Sequence, residues 1–167
     1  GGAHGMADKK AFANNLPADG TAHISDLTSG MATIGLWGPN ARKVLESITI
    51  DDVSNEGFPF ASNRIIEIGN LRVLASRISY VGELGWELYL PVETAVALWD
   101  MIWEAGVVHG LIAAGSGATA GTGRLEKSYR AYGNELETSY NMVEAGMVFP
   151  KVKAQDFVGK QAYVKHR

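Results

Sequence analysis

The chain has 167 residues, 46% of them hydrophobic and 20% charged, with a net charge of -3 and a mean hydropathy of -0.03, which describes a globular protein long enough to bury a core without staples. The acidic balance excludes the basic surface that phosphate neutralisation requires, and the absence of cysteine excludes a disulfide framework, a thiolate zinc site and a cysteine nucleophile. No run approaches the ~20 apolar residues of a membrane span and no signal peptide is visible, so a small ligand or another protein is the expected partner, with no nucleic acid and no membrane, in the cytoplasm or an organelle matrix.

Residues 1–5 read either as an expression remnant before Met6 or as native sequence continuing from further upstream. Residues 7–15 (ADKKAFANN) predict a short helix, closed by a Pro17 to Gly20 turn. MATIGLW, residues 31–37, predicts a buried strand that Gly38-Pro39 breaks, with the proline at the first helical position. The helix expected over 40–48 places Ala41, Val44, Leu45 and Ile48 on one face. Residues 51–62 are loop-rich. Strands are expected at 64–68 and 71–80 around the Gly69-Asn70 turn, and a third at 86–90.

The helix predicted over 93–105 carries Ala95, Leu98, Ile102 and Ala105 on one stripe, with Trp99 and Trp103 alongside as packing residues. Residues 111–133 are anomalous. Gly115, Gly117, Gly121 and Gly123 crowd into nine residues, each weakening a helix by ~1 kcal/mol relative to alanine, yet 124–132 (RLEKSYRAY) has helical character. A helix that starts late or is unusually loose is expected there. A strand at 147–152 and a short helix from Gly159 complete the chain. No repeat or linker divides it, and the order of elements gives an α+β fold, a mostly antiparallel sheet with helices packed on one face.

The stretch SYVGELGWEL, residues 79–88, carries the chemistry. If Gly82-Glu83-Leu84-Gly85 forms a four-residue hairpin loop, Val81 lies opposite Trp86 and Tyr80 opposite Glu87. Opposed residues share a face with Cβ atoms about 5 Å apart, so the phenol and the carboxylate would reach into one space. A carboxylate on a half-buried strand must be paired. An internal cation, Arg77, Arg124 or Arg130, is one candidate partner. A ligand edge with adjacent N–H donors, such as an aminopyrimidine, is the other, because a carboxylate accepts a parallel pair of hydrogen bonds.

SRISYVGELGWELYLP, followed in order by RLEKSYRAYGNEL, EAG and DFVGKQA, closely resembles the folate-binding aminomethyltransferase domain of the glycine cleavage T-protein and of the C-terminal half of dimethylglycine and sarcosine dehydrogenases or oxidases. LPADGTAHISDLTS and LWGP lean towards the dimethylglycine and sarcosine branch, and the resemblance covers nearly the whole chain. It implies the ferredoxin-like half of that domain and a tetrahydrofolate site. Glu87 would bind the pterin ring, Tyr80 would line the transfer centre, and Arg124 and Tyr129 would flank the folate. Arg124 could instead pair with Glu126 or Glu135. The implied activity passes a methylene from an oxidised N-methyl amine to tetrahydrofolate, with any flavin in a separate upstream domain.

Family members are longer, and the resemblance places their catalytic aspartate in a segment upstream of Gly1 and their terminal β-barrel after Arg167. Asp8 aligns with a helix-start aspartate, so no catalytic residue is assigned in this chain. Thr119-Ala120-Gly121 stand where T-proteins carry an arginine before RLE. Residues 1–167 are therefore expected to be part of a folate-binding domain, unable to turn over alone, with self-association through surface that further lobes would cover. A folate-binding assembly or repair factor on the same scaffold and a structural module are the rival readings; the repair-factor relatives use a cysteine-containing motif that this chain lacks. His4, His23, His109 and His166 have no metal spacing, Asp51-Asp52 is a solvated pair, and the 115–123 glycine run lacks the Gly-Lys-Ser/Thr ending of a phosphate loop.

Overall fold

The computed structural model describes residues 4–148 and 151–167, the side chains of Thr119 and Ala120 excepted. Its centre is a four-stranded antiparallel sheet in the order β1-β4-β3-β2, built from β1 (Met31–Trp37), β2 (Asn63–Ile68), β3 (Leu71–Ser76) and β4 (Gly85–Pro91). Each strand alternates because successive side chains point to opposite faces. Leu36, Ile66, Ile68, Val73, Ala75, Trp86, Leu88 and Leu90 turn to one face and are fully buried. Thr33, Gly35, Ile65, Leu74, Glu87 and Tyr89 turn to the other, and four of these six are exposed.

Helices α2 (Ala41–Glu46) and α3 (Ala95–Gly106) cover the buried face. The α2 helix buries Ala41, Val44 and Leu45, as its spacing predicts, and begins at Ala41 rather than at Pro39. On α3, Leu98, Ile102 and Gly106 are buried, while Trp99 and Trp103 stack on each other with centroids 6.3 Å apart and remain 43% and 40% exposed. Phe58, carried on the 51–62 loop, closes the core edge-on against Trp86. The α+β arrangement with helices on one face is thus as the sequence suggests.

The remaining elements are slighter. The α1 helix (Gly5–Asn14) buries nothing, and α6 (Lys160–His166) likewise. The glycine-rich segment is broken rather than continuous. One helical turn, α4 (Ser116–Ala118), runs into a π-type turn at Thr119–Gly123 with Gly121 outside helical geometry, then into the single turn α5 (Arg124–Glu126). The helix expected over 124–132 therefore stops after Glu126. Ser128, at φ +58, turns the chain through the left-handed region. No strand is found at 147, 148, 151 or 152, and Phe149 and Pro150 of that expected strand lie outside the described residues. No helix among the described residues is long and apolar enough to cross a membrane.

Candidate functional site

Glu87 lies on β4 between Gly35 of β1 and Ser76 of β3. The neighbouring β1 position carries no side chain, and the space is taken by the indole of Trp37: a Cβ on Gly35 would lie 2.7 Å from it. The carboxylate thus rises from the open face of the sheet between an aromatic plane and a serine buried to 7% exposure. Its carboxylate oxygen Oε2 accepts a short hydrogen bond from the hydroxyl of Tyr89, two residues on and on the same face. Burial first, and then the bond to Glu87 and its charge, push the Tyr89 phenol up to about 12. Tyr89 and Ser76 were not singled out from the sequence; the Glu-x-Tyr spacing within a strand is the signal that marks the first.

The expected register is corrected. Ser76, not Tyr80, stands opposite Glu87 and β3 ends there, so the connection to β4 runs from 77 to 84 in place of a four-residue loop. The cause is tertiary. The connection is drawn away from the sheet towards the RLEKSY segment: the Tyr80 hydroxyl donates to the Arg130 carbonyl at 2.6 Å, and its ring stacks on Tyr129 with centroids 5.9 Å apart and planes 18° apart. Gly123 permits this contact, since a Cβ there would meet the Val81 Cβ at 2.9 Å. Tyr80 and Glu87 thus share one end of the sheet, where β3 leaves and β4 enters, without facing each other across a hairpin.

None of the three candidate cations reaches Glu87. Arg77 donates to the Phe58 carbonyl and to Asn55 Oδ1, its guanidinium over Trp86, and burial together with nearby Arg42 holds it below its ordinary value against the raising effect of Glu56. Arg130 donates to the carbonyls of Ala145 and Ser128. Arg124, 3% exposed, donates from Nη1 to Glu135 at 2.6 Å and to the Tyr129 carbonyl at 3.0 Å. The pairing with Glu135 expected as an alternative for Arg124 is present, and that with Glu126 is not among the described contacts. Backbone Ala131 and then Arg124 hold the Glu135 carboxyl below its usual range by hydrogen bonding to its charged form.

The four residues singled out from the sequence fall into two groups. Tyr80, Arg124 and Tyr129 form a connected cluster, in which Arg124 fixes the backbone of Tyr129 and Tyr129 stacks on Tyr80, 38% of Tyr129 remaining exposed. Glu87 stands apart on the sheet with Tyr89. A separate cavity of about 380 Å³ opens at the β1 edge, lined by Thr33, Trp37, Trp99, Trp103 and Ile112 among others, and touches the open face through Gly35 and Trp37.

Residues 2–153 match the family profile described as the GCVT N-terminal domain. The chain belongs to this family. It is 44% identical over 141 residues to human mitochondrial dimethylglycine dehydrogenase, covering 83% of this chain and 16% of that protein. It is 35% identical to human mitochondrial sarcosine dehydrogenase, covering 86% and 16%, and 37% identical to the aminomethyltransferase of Caldanaerobacter subterraneus subsp. tengcongensis, covering 86% and 38%. The chain therefore spans about a sixth of the length of the two dehydrogenases and under two fifths of the transferase. Family membership agrees with the resemblance read from SYVGELGWEL and RLEKSYRAYGNEL.

Proposed function

We propose that this chain supplies part of the folate site of a one-carbon transferase of the dimethylglycine or sarcosine dehydrogenase type, which passes a methylene from an oxidised N-methyl amine to tetrahydrofolate. One observation carries the reading. Glu87 presents a carboxylate on the open face of the sheet, beside an indole and a serine, with no arginine or lysine within ion-pair reach among the described residues. Tyr89 supplies one donor, and a carboxylate takes about four hydrogen bonds, so acceptor positions remain for a ligand. A flat ring whose edge carries adjacent N–H donors suits that vacancy, and Trp37 offers a face for it to lie against.

Tetrahydrofolate supplies the nitrogens that take up the one-carbon unit. In this reading the chain's own residues bind and orient. Glu87 takes the donor edge of the pterin, the Tyr80–Tyr129 pair forms an aromatic wall at the same end of the sheet, and Arg124 acts through the Tyr129 backbone that it holds. No general base for the amine is assigned among these residues.

Calorimetric titration with tetrahydrofolate tests the reading. Glu87→Ala is expected to weaken binding by about 2 to 4 kcal/mol through loss of a charged hydrogen-bond pair. An affinity unchanged by that substitution would defeat the assignment and leave Glu87 as a structural partner of Tyr89.

A further inference from the structure

Tyr89 is itself held in place. Its neighbours across the sheet are Thr33 on β1 and Leu74 on β3, so its ring lies in the middle of the open face rather than at an edge. From there its hydroxyl reaches Oε2 of Glu87. On its two sides Glu87 meets only Gly35, overlain by Trp37, and Ser76. Without the phenol, the glutamate would rotate about its terminal torsion, which is broad and two-fold.

The geometry points to Tyr89 as a positioning and specificity-determining residue for the ligand held by Glu87. By fixing Oε2, the hydroxyl sets the plane of the carboxylate, so that Oε1 and the remaining lone pair of Oε2 stand as an aligned pair of acceptors. A ligand edge with two adjacent N–H donors satisfies both. An edge with a single donor leaves the second carboxylate oxygen, which cannot turn away, without a partner, and is disfavoured. Tyr89 thereby selects a 2-amino-4-oxo ring edge over the same ring lacking the exocyclic amine. The inference rests on the folate reading above and deepens it by naming what enforces the two-donor requirement.

The test compares tetrahydrofolate with its 2-desamino analogue by calorimetry on the whole chain, in the wild type, Tyr89→Phe, Glu87→Gln and the double variant. The expected result is that Tyr89→Phe weakens tetrahydrofolate roughly tenfold, as befits loss of a preorganising charge-assisted bond. It should also narrow the preference over the desamino analogue, and should add nothing further in the Glu87→Gln background. A second measurement does not depend on the phenylalanine variant folding. In tyrosine-labelled protein followed by carbon NMR, the Tyr89 phenol should titrate at about 12 and should move down towards 10.0 in Glu87→Gln. A wild type that binds tetrahydrofolate with Tyr89→Phe equal to it in affinity and selectivity overturns this inference alone. So do additive losses, or a Tyr89 titration that Glu87→Gln leaves unmoved. A wild type that does not bind tetrahydrofolate overturns the folate reading and this inference together.

Discussion

In the folate reading proposed above, Arg124 would belong to the site without touching its ligand. Its guanidinium is buried, and its Nη1 donates both to the Glu135 carboxylate and to the Tyr129 carbonyl, holding the stretch in which Ser128 adopts its left-handed turn. Arg124→Ala leaves that carbonyl and a buried void without partners, and is expected to cost about 1 to 3 kcal/mol in urea denaturation. The same link has a pH signature. Because Glu135 titrates below its ordinary 4.5 in the folded chain, its contribution is fully present above that pH and is lost as the pH falls through the depressed folded value. Glu135→Gln should therefore flatten the acid limb of the stability profile below 4.5. A limb of unchanged slope would show that the pair contributes nothing.

The elements that could be read from the sequence are those whose burial follows their own period. Alternation in MATIGLW and GWELYLP, and the Ala41, Val44, Leu45 face of α2, each express a local rule that packing reinforces. The end of β3 could not be read this way, because SRISY has strand composition and leaves the sheet only through contacts with residues some fifty positions away, such as Arg130. The same distant contacts explain one glycine of 115–123: Gly123 lets that segment approach Val81, while Gly115, Gly117 and Gly121 face open space and only weaken the local helix, as the sequence suggests. Glu87 could be picked out as a carboxylate on a strand, and the Glu-x-Tyr spacing puts Tyr89 on its face, but that Ser76 rather than Tyr80 stands opposite it depends on where β3 leaves the sheet. Gly123→Ala separates the two effects. Helix propensity alone would favour alanine by about 1 kcal/mol. The close approach to Val81, whose backbone lies 3.2 Å from the added carbon, should reverse the sign and destabilise the protein by about 1 to 3 kcal/mol. A raised urea midpoint would show that the contact is unimportant.

Across the molecule, stability is concentrated in one place. Every fully buried apolar side chain among the described residues lies between Leu36 and Ile102, and beyond that span only Gly106 and Arg124 are buried. The α1 helix is tethered by the exposed Lys9–Asp26 pair at 3.1 Å, a class of contact that adds little, and α6 buries nothing. Local opening should therefore cost far less in the terminal thirds than in the sheet. Limited trypsin digestion is expected to cut first after Lys9, Lys10, Lys151 and Lys153, and only later after Arg64 and Arg72 on the strands. The aromatic pair joins these two regimes, because Tyr80 follows the well-packed sheet and Tyr129 begins the thinly packed tail. A ligand that spans Glu87 and Tyr129 would hold the tail to the sheet by mass action, and saturating tetrahydrofolate should slow cleavage at Lys151 and Lys153 in proportion to its binding. Cleavage there at the same rate with and without ligand, in protein shown to be saturated, would mean that the tail takes no part in the site and that Glu87 binds from the sheet alone.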